Sequence, residues 1–124
     1  MNENELTGLL ESLRRMGSDD LNVKVKESAT TLSRDVWETV SAFANTAGGI
    51  IVLGVSERAG FVPVENFETE KVLNQFVSGM GDAGGRGKLA NPPKYTIERV
   101  ELQDVIVLVI TMRSSIRRAS PAMS

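Results

Sequence analysis

Hydrophobic positions recur along the chain with two different periods, and each change of period marks a boundary between elements. Leu6, Leu9, Leu10, Leu13 and Met16 repeat at helical spacing over residues 3–16 and stop at Gly17, which predicts an amphipathic helix closed by a glycine cap. Residues 22–26 alternate instead, with Val23 and Val25 on one side and Asn22, Lys24 and Lys26 on the other, the pattern of a half-buried strand. The two lysines are then expected to project together from the open face, about 7 Å apart. Thr30, Thr31 and Ser33 offer capping hydroxyls before a second helix whose apolar stripe is Val36, Trp37, Val40, Phe43, Ala44 and Ala47. The run at 50–55 is short and continuously apolar, as in a central strand covered on both faces, and 57–60 turns the chain into a short strand at 61–64.

Val72, Leu73, Phe76, Val77 and Met80 mark a third helix over 68–80, and the glycine- and proline-rich stretch 81–93 after it reads as a mobile surface loop. Tyr95 and Ile97 share one alternation phase while Val100 and Leu102 take the other, so a bulge is expected near Glu98 and Arg99. Residues 105–111 pair back as a hairpin through Gln103-Asp104. From 113 to 124 there is no apolar period, and that tail is expected to be disordered. The order α-β-α-β-β-α-β-β, without internal repeat, predicts an α+β fold with a mixed sheet flanked by helices. Its expected division is an N-terminal helix at 1–20, a domain at 21–112 and a basic tail at 113–124.

With 124 residues the chain has material for one core. Its apolar runs fall well short of the roughly 18 residues that span a bilayer, and its start is acidic where a signal peptide is basic, so a cytoplasmic protein without membrane contact is expected. Cysteine and histidine are both absent, which excludes thiol nucleophiles, imidazole bases, disulfides and the usual zinc sites. The formal charge of -2 is unevenly spread: the first two thirds are acidic and the stretch from Arg86 onward is net basic.

The segment "GDAGGRGKL" resembles a phosphate-binding loop only in part. Gly81 stands five residues before Gly87, Leu89 replaces the required hydroxyl, and a helix rather than a strand precedes it. Arg86 and Lys88 nevertheless remain candidates for a phosphate backbone, as do Lys24, Lys26 and the tail's Arg113, Arg117 and Arg118. Trp37 belongs to the core stripe, and Glu27 and Glu57 alone among the carboxylates fall at neighbouring strand ends. In "SAFANTAGGIIVLGV" a helix gives way to a strand. There Gly48 supplies the left-handed turn and Gly49 a close backbone passage, while Asn45 and Thr46 can satisfy free carbonyls in the last helical turn.

These same residues carry a family resemblance. "VKVKES", a helix, "SAFANTAGGIIVLGV" ending in Leu53-Gly54-Val55, a turn and "FVPV", with "NPP" before the last hairpin, resemble the AlbA-like domain of the Schlafen family over about residues 21–112. The resemblance implies the N-terminal module of a bacterial DNA-binding transcriptional regulator, a type sometimes labelled ATP-binding, and this chain looks like that module alone or a shortened relative. Some Schlafen proteins cleave RNA with acidic residues in the first motif and after the Gly-Val. Here Lys24 stands where the first motif has glutamate, Lys26 keeps its lysine, and Ser56-Glu57 replaces an Asp-Asp pair. Hard cations need several oxygen ligands, so these losses dismantle much of such a site unless Asp19, Asp20 and Glu57 compensate.

The resulting expectation is a non-catalytic nucleic-acid-binding module, DNA over RNA, with no cofactor and no metal. Lys24, Lys26, Arg86, Lys88, Arg113, Arg117 and Arg118 would hold phosphates, Asn45, Thr46, Gly48, Gly49 and Gly54 would shape the fold, and an exposed edge strand would support a homodimer. A divalent-metal-dependent ribonuclease and a protein-interaction or ATP-binding module are the alternatives.

Overall fold

The computed structural model describes residues 1–17, 22–81 and 94–113. The expected loop at 81–93 and the tail beyond Arg113 therefore lie almost wholly outside the described residues. Helix α1 (Glu3–Met16) starts with a reciprocal cap: the Asn2 side chain accepts from the Glu5 N–H at 2.8 Å, and the Glu5 carboxylate accepts from the Asn2 N–H at 2.9 Å. It stops at Gly17, whose φ of 81° is left-handed as the sequence predicts. Strand β1 (Val23–Lys26) leads through α2 (Val36–Ala44) to β2 (Gly49–Leu53), which runs parallel to it. A two-stranded ribbon follows, β3 (Val55–Ser56) and β4 (Val62–Pro63), then α3 (Thr69–Gly81) and a hairpin of β5 (Tyr95–Leu102) and β6 (Val105–Met112).

The main sheet has the order β1-β2-β6-β5, with β2 and β6 antiparallel at its centre. It is the expected single α+β domain with a mixed sheet. Leu6, Leu10 and Leu13 of α1 cover one face with Val23, Val25, Val52, Val107 and Val109. On the other, Val36, Val40, Phe43, Val72 and Phe76 of α2 and α3 close over Ile51, Leu53, Leu108 and Ile110. The central strands are thus apolar on both sides because both sides are covered. Trp37 lies at the margin of this second layer, half-buried and stacked on Phe76 with ring centres 5.5 Å apart. Among the described residues no helix is long and apolar enough to cross a membrane.

Two local expectations are corrected. The β5–β6 register is one-to-one from Tyr95↔Met112 to Leu102↔Val105, so there is no bulge at Glu98 and Arg99. The change of phase has another cause: Tyr95 and Ile97 pack under the α2/α3 layer, whereas Val100 and Leu102 pack against α1. The strand keeps its pleat while its covered side changes. The helix α2 is preceded not by a capping Thr30, Thr31 or Ser33 but by Asp35, whose side chain makes no cap bond, and Ser33 is held by the Ser28 hydroxyl instead.

Between α2 and β2, Thr46 donates its hydroxyl to the Ala42 carbonyl at 2.9 Å, the Gly48 N–H reaches the Phe43 carbonyl at 3.1 Å, and the Asn45 side chain is exposed. Gly48 has φ 89°, and a Cβ there would stand 2.4 Å from the Met112 carbonyl oxygen. A Cβ on Gly49 would meet the Phe43 ring at 2.6 Å, so this joint admits no side chain at either position.

Both helices on the α2/α3 face begin at the same end of the sheet, and each is tied to it by a charge. Lys26, Leu53, Leu108 and Arg99 are successive partners across the four strands. At one end of that row Lys26 contacts the Asp35 carboxylate at 2.8 Å, just before α2, and at the other Arg99 grips Glu70 in the first turn of α3 at 2.7 and 2.9 Å. Carboxylates at helix N-termini are also favoured by the helix dipole. The hydrogen bonds from Arg99 hold the Glu70 carboxyl below the usual glutamate range.

Gly48→Ala is expected to lower stability by at least about 2 kcal/mol, through left-handed strain and the clash with Met112, in urea denaturation. A carboxyl titration by NMR should find Glu70 titrating below an ordinary glutamate, and Arg99→Gln should return it upward. Since the folded-state value is the depressed one, this stabilisation is present above the unfolded carboxyl range. It is lost as pH falls through the folded value.

Candidate nucleic-acid interface

The carboxyl ends of the parallel pair β1 and β2 carry a polar cluster. Glu27 leaves β1 beside Ser56 of β3, whose hydroxyl donates to its carboxylate at 2.6 Å and accepts from the Ala59 N–H at 3.2 Å. Arg58 approaches the same carboxylate oxygen at 3.9 Å. The buried Ser28, at φ 41°, shares a hydroxyl contact of 2.7 Å with Ser33 and so closes the loop leading to α2. Glu27 is thereby committed to holding the β3 ribbon against β1. Among the described residues no three carboxylates gather as a metal site requires, and Asp19 and Asp20 lie outside them.

Lys24 and Lys26 share a face, as the alternation predicts, but α2 lies along that face. The Lys26 side chain is only 19% exposed and its ammonium is engaged by Asp35, so it does not project freely as expected. Lys24 lines a groove of about 520 Å³ between β1 and α2, together with Glu38, Thr39, Phe43 and Thr46. The strand pattern tells which residues share a side; it is silent on what packs over them. Gly54, where β2 gives way to β3 at φ 100°, has the Phe67 ring against it and belongs to the fold.

The far end of the β5–β6 hairpin is different. The Arg113 N–H donates to the Lys94 carbonyl at 2.9 Å, placing two exposed cations side by side just beyond the last strand pair. With Tyr95, Thr96 and Thr111 they line a shallow pocket of about 320 Å³, with no acid among the described residues of its wall. Burial pushes the Tyr95 phenol up from its ordinary value, so it stays a neutral donor. Arg113 was expected as a phosphate contact; Lys94 was not. It could have been found by counting outward from the two-residue turn at Gln103-Asp104, because an unbroken register sets Lys94 opposite Arg113.

Arg86, Lys88, Arg117 and Arg118 lie outside the described residues, in the two segments that adjoin Lys94 and Arg113 in the chain. Arg34 and Lys71, which the sequence reading did not single out, border a larger groove between α2 and α3.

Residues 18–123 match the family model described as Schlafen, AlbA_2. No curated protein matches the chain. Among solved structures it is similar to the N-terminal domain, determined by NMR in solution, of a Nitrosomonas europaea protein named as related to the ATP-dependent DNA helicase RecG. The two are 26% identical with a TM-score of 0.61, over 87% of this chain and 72% of that one.

Ser56→Ala removes the partner of Glu27 and of the Ala59 N–H at once. It should lower stability by about 1 kcal/mol in urea denaturation.

Proposed function

Since this chain belongs to the Schlafen AlbA_2 family, we propose that it is a non-catalytic nucleic-acid-binding module of a transcriptional regulator, preferring DNA to RNA and holding phosphates through basic side chains. The observation that carries this reading is the pairing of Lys94 with Arg113. The hairpin sets two exposed cations together, with the Thr96 and Thr111 hydroxyls beside them and no acid among the described residues lining the pocket. A phosphate needs that combination of charge and short donors, and the neighbouring Arg86, Lys88, Arg117 and Arg118 would extend it along a strand. Lys24 is the remaining candidate on the β1 side, whereas Lys26 serves the fold. The engagement of Glu27 by Ser56, and a lysine where RNA-cleaving Schlafen proteins have their first glutamate, support a module that binds without cutting.

Fluorescence anisotropy with labelled duplex DNA, single-stranded DNA and RNA, with magnesium present, tests the reading. Binding should weaken steeply between about 50 and 200 mM salt. The double variant Lys94→Ala/Arg113→Ala should bind duplex about tenfold more weakly, with a log–log salt slope smaller by about 1.8, the share of two phosphate contacts. Probes should be recovered intact. Cleaved RNA would replace the binding module with a nuclease, and no binding at low salt would remove nucleic acid as the partner.

A further inference from the structure

On the outer side of α2 and α3 an open groove of about 1070 Å³ runs between the helices. Trp37 forms part of its wall, with Arg34 and Thr31 from the approach to α2 on one side and Lys71, Asn74, Gln75 and Ser78 from one stripe of α3 on the other. The indole is fixed on two sides: Phe76 stacks on it at 12° between ring planes, and Gly79 abuts its six-membered ring so closely that a Cβ would come within 2.3 Å. The Gln75 side-chain oxygen accepts from the Leu32 N–H at 2.7 Å, which ties the two walls together and leaves its amide nitrogen as a donor.

The charge of this groove follows from the ties to the sheet. Arg34 is followed by Asp35, and Lys71 is preceded by Glu70, so each cation has an acidic neighbour in the chain. Yet Asp35 is turned to Lys26 and Glu70 to Arg99. The acids are spent on the sheet, while Arg34 and Lys71 remain exposed on the groove, which among the described residues no acid lines.

An aromatic surface in a groove that also carries two cations and amide donors matches a nucleotide: a flat base and a charged phosphate. Only an unpaired base can reach a ring set in a groove wall, since duplex bases are stacked inside. We propose that the α2/α3 groove binds a single-stranded nucleic acid, a base packing on Trp37, Asn74 and Gln75 meeting its edge, and Arg34 and Lys71 holding the flanking phosphates. This deepens the nucleic-acid reading and rests on it, but at a surface separate from Lys94 and Arg113.

Trp37 is the only tryptophan of the chain, so its emission reports on this groove alone. The full chain is titrated with an oligothymidylate of about 10 nucleotides, within the usual span of single-strand sites, while anisotropy of a labelled copy follows total binding. Trp37 emission should be quenched in step with the anisotropy. Arg34→Ala/Lys71→Ala, folded by circular dichroism since both side chains are exposed, should bind about tenfold more weakly, with a salt slope smaller by about 1.4. Saturation without any change in emission, and with full affinity in the double variant, would overturn the groove while leaving the nucleic-acid reading intact. Absence of binding by every probe would overturn both. A free mononucleotide that quenches as strongly at equal nucleotide concentration would overturn the strand in favour of a small nucleotide.

Discussion

The rest of the structure depends on keeping two antiparallel strands, β2 and β6, out of water on both sides. Ile51, Val52, Leu53, Leu108, Val109 and Ile110 are completely inaccessible, and each such side chain contributes about 1.5–3 kcal/mol on burial. One helix cannot cover both faces, so α1 takes one and α2 with α3 the other. This leaves little interior for chemistry. Among the described residues the buried polar residues are serines, and no charged residue is buried. A protein built this way meets its ligands on its outside, and the available surfaces are those the helices and the hairpin end happen to frame.

The charged row at the top of the sheet shows how framing and electrostatics combine. Surface ion pairs such as Lys26–Asp35 and Arg99–Glu70 add little stability, being open to solvent and salt. Their larger effect is orientational. Each fixes the start of a helix over the sheet and draws a carboxylate inward, and the cation next in sequence is left facing out. A chain of net charge -2 thereby acquires local surfaces of the opposite sign.

Much of this was legible in the sequence because period and punctuation are local properties. The α1 stripe and its Gly17 stop, the buried run after Gly48-Gly49 and the turn at Gln103-Asp104 each follow from a few neighbouring residues. What was not legible is pairwise. The lysines of β1 alternate as an open face would, and only the position of α2 decides that Lys26 is covered. Tyr95 to Leu102 shifts phase as a bulge would, and only the ends of α1 and α3 decide that the strand is straight. Trp37 fits a core stripe, yet lies where the stripe meets the gap between helices. Arg34 and Lys71 carry no motif at all, since their exposure depends on where Asp35 and Glu70 turn.

The turn at Gln103 and Asp104, with φ of 49° and 70°, is the tight mirror-image kind that matches strand twist and allows no slack in register. Eight residues of strand separate it from Lys94 and Arg113, about 27 Å of extended chain. The hairpin therefore works as a ruler read at its far end: one residue gained or lost at the turn would slide β5 by a single place against β6. Lys94 would then stand opposite a different residue and on the other side of the sheet. The spacing of the two cations is set at the opposite pole of the molecule from where they act.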